Sequence, residues 1–206
     1  MKQALIVYGG WEGHQPKEVA EILHDALKGE GFAVEMADSL DALKDGEKLK
    51  RMDLIVPQWT MGHITGEQLT PLLAAVQAGT GIAGVHGGMG DAFREQTEYQ
   101  FMVGGQWVAH PGGIVTYTVH ILDVDSAITA GLHDFEVTSE QYYMHVDPAI
   151  HVYATTCFGE VVMPVTWTKT YGQGRVFYCS LGHSAEVAAR PEVLTMVTRG
   201  MVWAAR

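Results

Sequence analysis

The apolar run at residues 4–8 stops at Gly9-Gly10, and a helical stripe follows at once. Behind Pro16, which suits a first helical position, Val19, Ile22, Leu23, Ala26 and Leu27 recur at the spacing of a helix laid on a sheet. Gly29 and Gly31 stop it. An apolar run without polar alternation marks a strand buried on both faces, which requires helices on either side of a sheet. The pattern repeats. Residues 32–36 and 53–56, the latter closed by Pro57, read as second and third strands, and residues 82–85 as a fourth, ending at His86-Gly87-Gly88. Between the third and fourth, Leu69, Leu72, Leu73 and Val76 form a second helical stripe. Its start is open: Thr65 with Gln68 fits a capping box, but Pro71 would then lie inside the helix, so a start near Pro71 fits equally well. Strand, helix, strand, strand, helix, strand is the grammar of a doubly wound, mostly parallel α/β sheet.

From residue 114 the character changes. Residues 114–122, 135–144, 151–156, 161–170 and 175–181 all read as strands, with little room for helix between them. They are expected to pair largely antiparallel and extend one side of the sheet. Pro191 opens a last helix with Leu194, Val197, Met201 and Ala204 on one face. No repeat, low-complexity tract or linker interrupts the chain, so residues 1–206 read as one domain.

Composition excludes several roles. Hydrophobic residues at 47% and charged ones at 18% rule out disorder. A net charge of −11 repels phosphate backbones and anionic head groups, which argues against nucleic-acid and membrane partners. The first apolar run is too short for a signal-peptide core and no 18-residue apolar stretch exists, so a soluble cytoplasmic protein is expected. Cys157 and Cys179 lie in no metal-ribbon spacing and are expected to be reduced thiols. The ten methionines are compatible with a homodimer and do not require one.

Two excesses remain: 24 glycines in 206 residues, about 12% against roughly 7% in an average chain, and ten histidines. His14, His63, His86 and His183 each follow a strand end, where open parallel sheets bind ligands. His110 and His145 lie in segments that could reach the same mouth. Gly9-Gly10, Gly13, Gly62, Gly87-Gly88, Gly104-Gly105, Gly112-Gly113 and Gly182 sit close to these histidines in sequence. By contrast, His24, His120, His133 and His151 read as ordinary polar residues.

Common motifs fail here. Gly9-Gly10-Trp11-Glu12-Gly13 lacks the dinucleotide spacing, and no phosphate-binding loop of the Walker type is present. Gly84-Val85-His86-Gly87-Gly88 has the form of a nucleophile elbow with neither Ser nor Cys at its apex, which weighs against esterase and amidase chemistry.

Four stretches carry a family resemblance. Trp11-Glu12-Gly13-His14 resembles the G-x-x-H opening of the ThuA-like proteins, named for trehalose utilisation, within the class I glutamine amidotransferase-like fold. Gly84-Val85-His86-Gly87-Gly88 with Phe93 resembles their G-x-H-x-G elbow. Val103-Gly104-Gly105-Gln106-Trp107 to His110-Pro111 is similar to their G-G-x-F-x-x-H-P. Pro164-Val165-Thr166-Trp167, Gly172-Gln173-Gly174-Arg175-Val176-Phe177-Tyr178 and Leu181-Gly182-His183 are similar to their ending. The resemblance implies a flavodoxin-like sheet and puts His86 where true amidotransferases carry their cysteine, against glutamine hydrolysis. The chain departs from the family pattern at Ser126-Ala127-Ile128-Thr129, at Ser139-Glu140-Gln141-Tyr142, and at Trp107, which replaces a phenylalanine.

These residues suggest a carbohydrate site. Trp11, Trp59 and Trp107 offer aromatic faces for sugar C–H patches, with Tyr142 nearby, while His14, Gly87, Gly88, His110 and His145 complete the expected binding set. Glu140 is the best acid–base candidate, on the expectation that neighbouring imidazoles tune it toward neutral pH, with His86 and His183 as its catalytic partners. One mechanism moves protons on a sugar or keto-sugar with His86 and Glu140. Another holds a divalent Zn, Mn or Fe ion on His14, His86, His145 and His183 or a subset, resting on convergence alone because no close ligand spacing is present. The alternative to an enzyme is a non-catalytic module that binds a sugar or metabolite.

Overall fold

The computed structural model describes residues 1–122 and 125–206. Strand β1 (Gln3–Gly10) leads through a one-turn 3-10 helix (Glu12–His14) into α1 (Pro16–Gly29) and β2 (Ala33–Ala37). Another 3-10 turn (Leu40–Leu43) and α2 (Gly46–Arg51) precede β3 (Leu54–Thr60), α3 (Gly66–Gln77) and β4 (Gly81–Val85). Two short helices follow, α4 (His86–Gly90) and α5 (Thr97–Val103). The strands β5 (Gly105–Ala109), β6 (Ile114–Ile121), β7 (Phe135–Glu140), β8 (Tyr143–Val146), β9 (His151–Phe158), β10 (Val161–Tyr171) and β11 (Gly174–Cys179) come next, then α6 (Ala185–Ala188) and α7 (Pro191–Ala204).

Among the described residues the main sheet has nine strands in the order β2-β1-β3-β4-β11-β10-β9-β6-β7. The first five are parallel to one another. The rest pair antiparallel, as the change of pattern at residue 114 predicts. In β1 the strand period of two sends Ala4 and Ile6 into one core with α1 and α7, and Leu5 and Val7 into the other with α2 and α3. That division explains the unbroken apolar run, because both faces of this strand are interior.

One open reading is decided and one expectation changes. The second helical stripe starts at Thr65, where Gln68 Oε1 accepts from the Thr65 N–H at 3.0 Å, and Pro71 lies inside α3. The cap and the buried face of Leu69, Leu72 and Val76 outweigh the one hydrogen bond a proline removes. The predicted strand at 135–144 is two strands: β7 ends at Glu140, and β8 pairs instead with β5 in a separate ribbon. This break positions the site. β7 is four places from β11 in the sheet order, yet its last side chain reaches residues behind β4 and β11, so the antiparallel half folds back over the carboxyl ends of the parallel strands.

Candidate active site

Glu140 is the hub. Its Oε2 lies 3.1 Å from His86 Nε2, 3.3 Å from His183 Nδ1 and 3.4 Å from His14 Nε2, while Oε1 lies 3.7 Å from His110 Nε2. His14 closes the 3-10 turn after β1, His86 follows β4, His183 follows β11, and His110 follows β5. Three parallel-strand ends and the returning antiparallel half thus supply one constellation.

Each imidazole is held by its other nitrogen or by a ring. His86 Nδ1–H donates to the Ser180 carbonyl at 2.7 Å, and His14 Nδ1 pairs with the Thr60 hydroxyl at 2.9 Å. Tyr142 stacks on His86 with centroids 4.0 Å apart, and Tyr178 O–H donates to the His86 carbonyl at 3.0 Å. His14 Nε2, His183 Nδ1 and His110 Nδ1 are buried with no aligned hydrogen-bond partner. Such orphaned polar atoms are rare in folded interiors and point to a ligand.

The backbone is strained around the same place. Among the described residues Gln15, Met61, His86 and Phe93 are the non-glycine residues with positive φ, at 47°, 56°, 46° and 50°. All lie beside or within the constellation, where the surrounding fold pays for such conformations. His86 takes the sharp-turn backbone of a nucleophile elbow, but presents an imidazole at its apex.

The electrostatics narrow the chemistry. Burial pushes His86 down to about 4. Burial also pushes Glu140 up, but the imidazoles of His14, His183 and His86 outweigh it and hold the carboxyl well below the usual carboxylate range. The imidazoles therefore tune Glu140 away from neutral pH, not toward it. A neutral His86 that donates from Nδ1 faces an ionised carboxylate with the lone pair of Nε2. Two acceptors 3.1 Å apart call for an electrophile between them.

His14, His86, His183 and Glu140 offer ligand atoms all within 4.8 Å of one another. Their 3.1–3.4 Å contacts with Oε2 lie near the ligand–ligand edge of a tetrahedral metal site, about 3.3 Å for bonds of 2.0–2.1 Å. Three imidazoles and one carboxylate, with second nitrogens fixed by Thr60 and Ser180, suit a divalent first-row transition ion.

The other expected site residues divide. Trp11, His14, Trp107, His110, Glu140 and Tyr142 line a cavity of about 140 Å³. Trp59 does not; it packs over Gly9 and Gly62, whose missing side chains make room for its ring. Gly87 and Gly88 are buried spacers, with a Cβ at Gly87 falling 2.5 Å from His14 Nδ1. His63 is exposed and pairs with Glu95 at 2.9 Å instead of joining the cluster. His145 is also outside it. On β8 it sits opposite Gln106 with its neighbour Met144 buried, and the strand alternation turns it to a separate cavity of about 320 Å³ beside Phe101. Sequence reasoning missed Met61, Asp91 and Arg94 on the wall, although Arg94 lies one residue beyond the noted Phe93. Among the described residues no helix is long and apolar enough to cross a membrane, and both cysteines are free.

A family model described as trehalose utilisation, ThuA, matches residues 3–204. No curated protein matches. Among solved structures, a ThuA-like protein of Bacteroides uniformis superposes with a TM-score of 0.82 at 18% identity, covering 98% of this chain and 91% of that one. A cytoplasmic protein of Salmonella typhimurium LT2 gives a TM-score of 0.73 at 14% identity, with 99% and 100% covered. The chain also matches 30% of a β-galactosidase of Bacillus circulans sp. alkalophilus, with 98% of this chain covered, at a TM-score of 0.65 and 12% identity. At these identities the likeness is one of fold.

Proposed function

The chain belongs to the ThuA trehalose-utilisation family, and from that premise we propose that it is an enzyme acting on a sugar or keto-sugar through the His/Glu constellation, with a divalent metal assisting. The observation that carries this reading is the lone pair of His86 Nε2 facing Glu140 Oε2 at 3.1 Å, with unpartnered His14 and His183 nitrogens around the same oxygen. His14, His86, His183 and Glu140 would hold the ion, which supplies polarisation of a sugar oxygen or activation of water when bound. Zn, Mn and Fe all suit this donor set.

A carboxylate held as low as Glu140 is a poor proton acceptor near neutrality, so its part is to anchor. Proton transfer falls to an imidazole outside the donor set. His110, with Nε2 3.7 Å from Glu140 Oε1 and Nδ1 unpartnered, is that imidazole. Trp11, half-exposed at the cavity rim and edge-on to His14, offers its face to the C–H patch of a sugar ring. The elbow carries no thiol or hydroxyl, so glutamine hydrolysis has no nucleophile here.

A binding module with a degenerate site would have no need to keep three unpartnered imidazole nitrogens buried. The test joins elemental analysis to turnover. Purified protein is expected to carry near-stoichiometric Zn, Mn or Fe, and His86→Ala to lose it. Incubation with trehalose, its keto-derivatives and other disaccharides, followed by NMR, is expected to yield a new sugar species with His110→Ala at least a hundredfold slower. Metal-free protein indifferent to chelation ends the metal part, and binding without turnover across the panel favours the binding module.

A further inference from the structure

Besides the metal donors, the cavity of about 140 Å³ keeps a second set of nitrogen groups without partners. Arg94, Trp107 and His110 all line it, and Trp107 Nε1 and His110 Nδ1 are buried with nothing to bond.

Arg94 is fixed from several directions. The buried carboxylate of Asp91 holds it in a fork, with Nε 2.6 Å from Oδ1 and Nη2 2.9 Å from Oδ2. The guanidinium lies over the Trp107 ring at 4.3 Å, and Gln100 Nε2 donates to the Arg94 carbonyl at 2.8 Å. A guanidinium carries five N–H groups, and the fork uses two. The other three, on Nη1 and Nη2, have no partner among the described residues and form a second planar edge of the same kind. An edge immobilised in advance loses little entropy when an acceptor arrives. An arginine kept only to neutralise Asp91 would need neither that edge nor the ring beneath it, and lysine would replace it.

Charge decides which acceptor suits the edge. Asp91, Arg94 and Glu140 are the acidic and basic residues of the cavity wall, two carboxylates against one guanidinium, a balance of −1 with the imidazoles neutral. A divalent ion on the four donors turns that balance to +1, which a single anionic group neutralises. The chain's −11 opposes this only weakly, because charges more than about 8 Å away are screened at physiological salt. A carboxylate meets a guanidinium edge with two parallel bonds, whereas a lone hydroxyl leaves one of the N–H groups unpaired. Trp107 adds an N–H that phenylalanine, the residue of the family pattern at this position, does not have. The cavity is smaller than the roughly 300–1,000 Å³ of most ligand pockets, so it encloses no more than one ring.

Resting on the metal-assisted sugar reading above, we propose that the site recognises a sugar acid, a single ring whose carboxylate is bound by the free edge of Arg94 and the Trp107 N–H. Arg94 and Trp107 are then the residues that select the acid over the neutral sugar.

Calorimetric titration of the metal-loaded protein with glucuronate and with glucose tests this, since the two rings differ only in the carboxylate. Wild type is expected to bind glucuronate about tenfold or more tighter, the worth of one or two charge-assisted hydrogen bonds. Arg94→Lys keeps a cation beside Asp91 and is expected to fold, as its metal content and melting temperature will show, but to lose most of the preference. Trp107→Phe keeps a ring under the guanidinium, removes the N–H and is expected to lower the preference about three- to tenfold. A wild-type ratio near one, with glucose bound, overturns the carboxylate site and leaves the sugar reading intact. A folded Arg94→Lys with the wild-type ratio assigns the preference to the ion and overturns the role of Arg94. Failure of the wild type to bind either ligand overturns both the inference and the reading beneath it.

Discussion

His86 concentrates the conflict that makes the site usable. It is buried, holds a backbone angle that a side chain resists, spends one nitrogen on Ser180 and turns the other toward a carboxylate. Its geometry depends on smaller neighbours. Gly87 has no Cβ, and one built there would lie 2.5 Å from His14 Nδ1 and 2.9 Å from Thr60 Cγ2. Gly87→Ala is therefore expected to push His14 off Thr60 and weaken metal binding by about ten- to a hundredfold, the range seen when a ligand's supporting contacts are lost. Competition of the variant and wild type against a chelator measures it; equal metal retention would show that His14 is not a ligand. His145 teaches the complementary lesson. It shares residue type and neighbourhood in sequence with the true cluster, but one step along a strand turns a side chain to the other face.

At the scale of elements, α7 packs closely on the sheet. Gly200 sits in the middle of α7, and a methyl group there would overlap the Phe177 ring of β11. Two effects oppose each other in Gly200→Ala. Helix propensity favours alanine by about 1 kcal/mol, and overpacking a tight core costs about 1–3 kcal/mol. The Phe177 ring is fully buried, so overpacking is expected to win, with a net loss near 1 kcal/mol in urea unfolding. A more stable variant would mean that α7 shifts freely. The parallel half was legible from sequence because both faces of its strands are interior, and a run such as residues 4–8 has no rival reading. The helix-to-strand order carried His14, His86 and His183 to one mouth by the same logic. The break after Glu140 was not legible. Nothing local marks it, because tertiary pairing decides it: β8 finds β5, and the main sheet loses the rest of the predicted strand. Arg94 was missed for a related reason, since its role depends on Asp91 and Trp107 being brought to it.

For the whole molecule, a ligand that binds only the assembled site stabilises the fold. If the four donors hold an ion at a hundred times its dissociation constant, the gain is about 2.7 kcal/mol. In a chain of this size that is roughly 5–10 °C in melting temperature. Stepwise addition of Zn, Mn or Fe to chelated protein is expected to raise the melting temperature in this range, with His86→Ala unresponsive. A flat response in wild type would mean that the donors meet without binding. The order of synthesis adds a consequence of the strand arrangement. β11, made from residues 174–179, lies between β4 and β10, so the centre of the sheet is the last of its nine described strands to leave the ribosome. Until it does, the buried residues of β4 present an open edge in the nascent chain, and His86 has neither Ser180 nor His183 to meet. A chain arrested before residue 174 would have most of its helices and an incomplete site, without His183 and the Ser180 carbonyl, and its unpaired central edge would be its main liability to aggregation.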